Sequence, residues 1–403
     1  MSDKKCILAF TALYVAPNGD VRPCCISKPF KNPVKWKENS TIEEMYNSEQ
    51  FKQLRKDMVD GIEPDTCDYC FKRGHNLRNS WNQNWKDKLN DINLYNEDYS
   101  INKLQYLDIR YSNLCNFKCR MCAPDLSSAW FEDYVEIHGE QVKNRLTKFI
   151  EIGDDSVTKF TEKDLEGVEH LYFAGGEPFI NEDFYKMIDR FPPEVAKNMS
   201  VYINTNLSTL YYKKNSILNV LKKFKKVGIG TSCDGYGEIG EYQRTGFSHE
   251  TFCKNFKELL EYSKIHRNIT VEIECTITTI NVFHIFDFVE FLKSNFQLDE
   301  SAIHCHYAIT PYYWSVNAAP AAFRKKVINY INDNLHTLQN GKKLKNSIIS
   351  FLDFVNLEFN NTFNEKEIDI RKYVYTLDIL RNTNYKEVCP WIEELFDHKP
   401  KLI

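Results

Sequence analysis

Between residues 101 and 316 short runs of apolar and β-branched residues alternate with longer stretches whose apolar residues recur every three or four positions. That alternation predicts strands joined by crossover helices in a parallel sheet. Strands are expected near 104–111, 168–174, 200–207, 227–234, 270–280 and 303–309. Six such units predict an α/β chain folded as a partial (β/α)6 TIM-like barrel. Within the strands the polar residues keep one register. Asp108 and Arg110 alternate with Leu107, Ile109 and Tyr111; Asn204 and Asn206 with Val201, Ile203 and Thr205; and Ser232 and Asp234 with Val227, Ile229 and Cys233, Thr231 being an exception. Glu272, Glu274 and Thr276 alternate with Val271, Ile273, Cys275 and Ile277, and His304 and His306 with Ile303, Cys305 and Tyr307. In a barrel such a polar face lines the interior, and charges of both signs there imply a hydrated pocket for a polar ligand.

Both flanks read differently. Residues 7–15 followed by Pro17-Asn18-Gly19-Asp20-Val21 predict a β-hairpin, and residues 41–61 a helix capped by Ser40 or Thr41 and stopped at Gly61. Beyond Pro311 the periodicity becomes helical over 318–338, 344–359 and 365–380. Three regions follow: 1–100, an N-terminal hairpin-plus-helix domain; 101–316, the barrel; and 317–403, a helical extension.

Composition narrows the function. The 403 residues carry a formal charge of −4 with no basic stripe, which argues against nucleic acid as a partner. No signal peptide or membrane span is evident, so a cytoplasmic protein without membrane partners is expected, and its 13 cysteines read as reduced thiols and metal ligands.

The cysteines fall in two sets. Cys115, Cys119 and Cys122 form a C-x3-C-x2-C triplet just after the first barrel strand. Three thiolates on a cubane cluster leave one iron open to a small molecule, whereas electron-transfer clusters use four. Cys6, Cys24, Cys67 and Cys70 make the second set, with Cys25 able to replace Cys24. The hairpin would bring Cys6 near Cys24, and the helix would return Cys67 and Cys70, to give a closed four-ligand site. Zinc satisfies either spacing as well.

The triplet resembles the signature of the radical S-adenosylmethionine (radical SAM) enzymes, with Met121 standing where an aromatic residue is usual. Gly175-Gly176-Glu177 after the second strand is similar to the family's Gly-Gly-Glu motif, which receives the amine of SAM. Ser232 and Asp234 resemble its fourth-strand Ser-x-Asp-Gly; Asn204 and Asn206 approach the same ligand, and Arg244 stands where relatives place an arginine on the SAM carboxylate. A surface pairing of Arg244 with Glu241 is the competing reading. Cys6, Gly19-x4-Cys24 and Cys67-x2-Cys70 resemble the SPASM or twitch auxiliary-cluster module, here placed before the barrel instead of after it.

The resemblance implies one [4Fe-4S] cluster with an open iron for SAM, S-adenosylmethionine itself, one auxiliary [4Fe-4S] cluster, and a flavodoxin- or ferredoxin-type electron donor. The expected activity is an oxidoreductase acting on a small polar molecule or a peptide, with Glu274, His304 and His306 as candidate catalytic groups. A redox-neutral, epimerase-type reaction and a non-enzymatic zinc protein are the alternatives.

Overall fold

A computed structural model describes residues 4–38, 41–72, 77–91, 93–153, 155, 157–213, 215–338, 341–357 and 369–396. The chain is a mixed α/β protein with parallel strands, divided into two compact units. These do not follow the boundaries read from the sequence: one contains residues 1–114, 149–203 and 212–228, the other residues 115–148, 204–211 and 229–403.

In the first unit, residues 7–15 are not one strand. Ile7–Thr11 is a short helix, α1, and only Ala12–Val15 is extended, as β1. An unbroken apolar run does not distinguish the two by periodicity. Local bonds decide it: the Thr11 hydroxyl donates to the Ile7 carbonyl at 2.8 Å, and the Ile7 N–H is taken by Asn82 Oδ1 at 2.8 Å. The chain then turns at Gly19, whose φ of +77° suits glycine, into β2, Asp20–Arg22, antiparallel to β1. The two-residue β3, Val34–Lys35, pairs with β2.

On its other edge β1 runs parallel to β4, Tyr106–Ile109, with Ala12 opposite Tyr106 and Val15 opposite Ile109. β4 pairs in parallel with β5, His170–Phe173, and β5 with β6, Ser200–Thr205. The cysteine-bearing hairpin is therefore built into the sheet. The single helix expected over 41–61 is broken into α2, Ile42–Tyr46, and α3, Glu49–Val59. Thr41 and Glu44 form a capping box on α2; the alternative cap, Ser40, lies outside the described residues. The break falls at Asn47, whose side chain both donates to and accepts from the backbone of Ile101. Two further helices, α4, Asp68–Phe71, and α5, Leu77–Asn84, complete this segment, and α6, Glu182–Asp189, follows β5 in the same unit.

β7, Lys226–Ser232, which belongs to the second unit from Ile229 on, neighbours β8, Ile269–Ile277, which is parallel to β9, Ile303–Tyr307. The polar register holds here. Along β8 the odd-numbered residues from Ile269 to Ile277 are buried while Glu272, Glu274 and Thr276 are half-buried, and Glu274 lies opposite His304 and Thr276 opposite His306. The helix α7, His249–Ile265, packs on β8 through a face bearing Phe252, Phe256 and Leu259. After α8, Ile285–Phe296, come α9, Ala321–Asn334, α10, Lys342–Asn356, and α11, Ile370–Arg381. These agree with the helical periodicity, although residues 358–359 and 365–368 of the expected spans lie outside the described residues. α10 packs along β9, the end strand of its sheet, and stacks Phe354 on Tyr307 with ring centroids 4.4 Å apart. The otherwise bare edge is thereby covered.

Candidate active site

The N-terminal cysteines converge. Cys6 before α1, Cys24 after β2, and Cys67 and Cys70 around the start of α4 line one cavity, together with Leu8, Ile26, Phe71 and Arg78. Burial pushes the Cys6 thiol up to about 11 and raises Cys24 and Cys67 further, each thiol adding to the next. Four half-buried, mutually repelling thiols are an unfavourable set of anions unless a cation joins them. The soft donor set fits an iron–sulfur cluster with every iron held by protein. Cys25 does not line this cavity; burial and Asp108 raise its thiol to about 11 while Arg110 lowers it.

The triplet lies in the second unit. Lys118–Cys119 and Arg244–Thr245 form a small antiparallel pair that sets Cys119 opposite Arg244. The sulfurs are met by donors: the Phe117 N–H reaches Cys115 Sγ at 3.4 Å, Asn206 Nδ2 reaches the same sulfur at 4.0 Å, and Arg244 Nη1 reaches Cys119 Sγ at 3.8 Å. A hydrogen bond from Cys122, aided by the Arg244 charge, lowers the Cys119 thiol below its ordinary range. Such donors stabilise thiolate ligands and tune the group that they hold.

Arg244 does not pair with Glu241. Its guanidinium grips Asp234 with Nε at 2.6 Å and Nη2 at 2.9 Å, and Asp234 also accepts from the Thr276 N–H at 2.7 Å. Ser232 is half-buried at the end of β7, and Asn204 half-buried near the end of β6. Asn206 donates to Asn116 Oδ1 at 2.9 Å as well.

In the first unit Gly175 and Gly176 have φ of +82° and +58°, and a Cβ on Gly176 would stand 2.2 Å from the Leu114 carbonyl oxygen. The Glu177 N–H donates to that same oxygen at 2.7 Å, so the Gly-Gly-Glu loop is strapped to the residue preceding Cys115. Glu177 is buried, and its Oε1 accepts from the Phe179 N–H at 3.0 Å, capping the turn that follows.

The paired polar faces of β8 and β9 bring the three candidate catalytic groups together. Glu274 Oε1 is 3.1 Å from His304 Nδ1, and its Oε2 is 2.6 Å from His306 Nε2. The His304 and Glu274 side chains are nearly buried, at 13% and 12% exposure, whereas His306 is 65% exposed. A hydrogen bond to Glu274 raises the His306 pKa above its ordinary value.

A family model for SPASM, an iron–sulfur cluster-binding domain, matches residues 6–71, the segment that closes the four-cysteine cavity. Residues 6–71 are thus similar to a SPASM-type iron–sulfur cluster domain. Among curated proteins the chain is 30% identical over 95 residues to GTP 3′,8-cyclase of Campylobacter curvus, covering 23% of this chain and 25% of that protein. It is 28% identical over 107 residues to the same enzyme of Campylobacter lari, covering 27% and 29%. The chain thus spans about a quarter of the length of these relatives. Of solved structures, anSMEcpe with bound AdoMet is similar at a TM-score of 0.38, with 18% identity over 60% of this chain and 61% of that one. Streptococcus suis SuiB bound to S-adenosylmethionine is similar at a TM-score of 0.36, with 16% identity over 74% and 61%. Among the described residues no helix is long and apolar enough to cross a membrane.

Sequence reasoning missed two features of this chain. Arg120, between Cys119 and Cys122, is completely buried: it stacks on Tyr242 at 3.6 Å, donates to the Tyr242 carbonyl at 3.0 Å, and pairs with Asp378 of α11 at 2.6 Å. Arg381 on the same helix donates to Asp133 at 2.8 Å and to the Lys118 carbonyl at 2.9 Å. α11 thereby holds the triplet loop at two points. A charged residue inside a ligand motif was the available signal, but its partner lies 258 positions away. The second is Lys343 of α10, whose Nζ is 2.8 Å from His304 Nε2.

Proposed function

We propose that this protein is a radical SAM oxidoreductase acting on a polar small molecule or a peptide, with Cys115, Cys119 and Cys122 holding the cluster that binds SAM and Cys6, Cys24, Cys67 and Cys70 holding an auxiliary [4Fe-4S] cluster. When bound, these groups supply a 5′-deoxyadenosyl radical for hydrogen-atom abstraction and an acceptor for the second electron, replenished by a flavodoxin- or ferredoxin-type donor. The strands of both units are read as a partial (β/α)6 barrel. Gly175, Gly176, Glu177, Asn204, Asn206, Ser232, Asp234 and Arg244 are read as SAM-binding residues, with Arg244 acting through its grip on Asp234 and its contact with Cys119. Glu274, His304 and His306 supply acid–base chemistry to the substrate.

One observation carries this reading: four thiols line one cavity in one unit while three others, two of them with donors on their sulfurs, share a separate loop in the other. Anaerobic purification with iron, sulfide and zinc analysis, followed by an assay for 5′-deoxyadenosine with dithionite and SAM, tests it. A colourless zinc protein refutes it.

A redox-neutral reaction, in which a thiol returns the hydrogen atom, is favoured by Cys25, which does not line the cluster cavity and sits in the field of Asp108 and Arg110. Solvent deuterium incorporated into product, and lost in Cys25→Ala, separates the two.

A further inference from the structure

The geometry around Glu274 points to a fixed direction for the proton in the polar cluster, and from it we infer that His306 is the group that takes a proton from the substrate, with Lys343 and His304 as its positioning residues. This rests on the radical SAM reading only for what the substrate undergoes; the arrangement itself is read from side-chain chemistry.

An ammonium group can only donate. Lys343 Nζ, 2.8 Å from His304 Nε2, therefore makes that nitrogen an acceptor, and a neutral His304 must carry its proton on Nδ1. Nδ1 faces Glu274 Oε1 at 3.1 Å, with Glu272 Oε2 at 3.8 Å, so the imidazole donates to the Glu274 carboxylate. The remaining oxygen, Oε2, accepts from His306 Nε2 at 2.6 Å. The chain Lys343, His304, Glu274 is thus oriented at each link, and it ends by fixing the tautomer of His306 with the proton on Nε2. The Nδ1 lone pair of His306 is then left to a ligand, on a side chain that is 65% exposed.

Glu272, Glu274 and His304 are also spaced to hold a cation. The proton on His304 Nδ1 occupies the lone pair that a cation would need there, so the cluster reads as an acid–base device. A substrate hydroxyl or amine placed at His306 Nδ1 gives up its proton as the O–H or N–H bond breaks and the Nδ1–H bond forms. The imidazolium produced is stabilised by Glu274, opposed by Lys343 and favoured more weakly by Asp234. No electrons move in this step.

The tautomers test the proposal directly. Long-range proton–nitrogen NMR on protein labelled with nitrogen-15 histidine, its clusters in the oxidised diamagnetic state, with His304→Gln and His306→Gln for assignment, should show His304 protonated on Nδ1 and neutral His306 on Nε2. In Lys343→Met the His304 Nε2 resonance should shift as that nitrogen loses its donor, with the proton kept on Nδ1 by Glu274, while Lys343→Arg keeps the wild-type pattern. His304 protonated on Nε2 in the wild type, or an unchanged spectrum in Lys343→Met, overturns the proposal. Glu274→Gln should lower the proton affinity of His306 at least threefold in the same titration, and no change overturns the His306 assignment. A wild-type protein that releases no 5′-deoxyadenosine refutes the radical reading and with it the catalytic role, a failure distinct from a wrong tautomer.

Discussion

Replacing Asp378 by Ala is the perturbation whose size follows most directly from the contacts. Asp378 accepts from Arg120 Nη2 at 2.6 Å, Thr383 Oγ1 at 2.8 Å and the Tyr385 N–H at 2.8 Å, and Arg120 is completely buried between Cys119 and Cys122. Truncation leaves a guanidinium in the interior without its counter-charge and strips an N–H of its acceptor. Breaking a buried pair from one side costs about 3–5 kcal/mol, a large part of the roughly 5–15 kcal/mol that holds a folded protein. Asp378→Asn keeps the shape and an acceptor, and should lose about 1.5–3 kcal/mol, the range for hydrogen bonds to charged groups. The double variant Arg120→Met, Asp378→Leu removes both charges and should recover most of the loss, because a well-packed apolar pair can equal a buried ion pair. Anaerobic guanidinium unfolding followed by circular dichroism measures each change, and iron analysis of the folded fraction reads the triplet loop separately. A loss in Asp378→Ala of about 0.5 kcal/mol or less, as for a surface substitution, would refute the reasoning. So would a double variant no more stable than the single one.

Replacing Cys115, Cys119 and Cys122 together by Ala should abolish SAM cleavage and remove one cluster while the auxiliary iron stays, as Mössbauer and iron analysis would show; loss of all iron would mean that the sets share a site. Cys67→Ala or Cys70→Ala should still release 5′-deoxyadenosine but stop product formation, and unimpaired product would make the N-terminal site structural. Gly176→Ala must hold φ near +58° with its Cβ 2.2 Å from the Leu114 oxygen. The left-handed backbone alone costs about 1–2 kcal/mol, so a lowered melting temperature and weakened SAM binding by calorimetry are expected. His306 has a folded pKa above the ordinary value of about 6.5 because it donates to Glu274. The stability from that pair is therefore fully present below that ordinary value and is lost as pH rises through the higher folded one. Denaturation midpoints measured across this range should fall with pH in the wild type and flatten in Glu274→Gln.

What could be read in the sequence followed from spacing and period. C-x3-C-x2-C places three thiols on one loop whatever the surroundings, and the two-residue alternation through Glu272, Glu274 and Thr276 gave the face that β8 presents. Residues 7–15 misled because a solid apolar run carries no period, and the choice between helix and strand fell to Asn82, far along the chain. The break at Asn47 had the same cause, a side chain committed to the Ile101 backbone. Arg120 and Lys343 were hidden differently: each is an ordinary charged residue until a partner from a distant helix or strand defines it.

The pairing of β1 with β4 makes the cysteine segment late to finish although it is made before β4. Ala12–Val15 can close its hairpin with Asp20–Arg22 at once, but its other edge waits for Tyr106–Ile109 to be synthesised, and that longer loop must close before the ladder forms. Cys6 and Cys24 flank β1 and β2, so the cavity they share with Cys67 and Cys70 reaches its final walls only after β4 is in place. Amides of β1 and β4 should accordingly exchange with solvent as one opening unit. Moving the cluster segment to the other end of the chain would leave β4 with an open edge, so the order of the two modules is part of the architecture of the sheet.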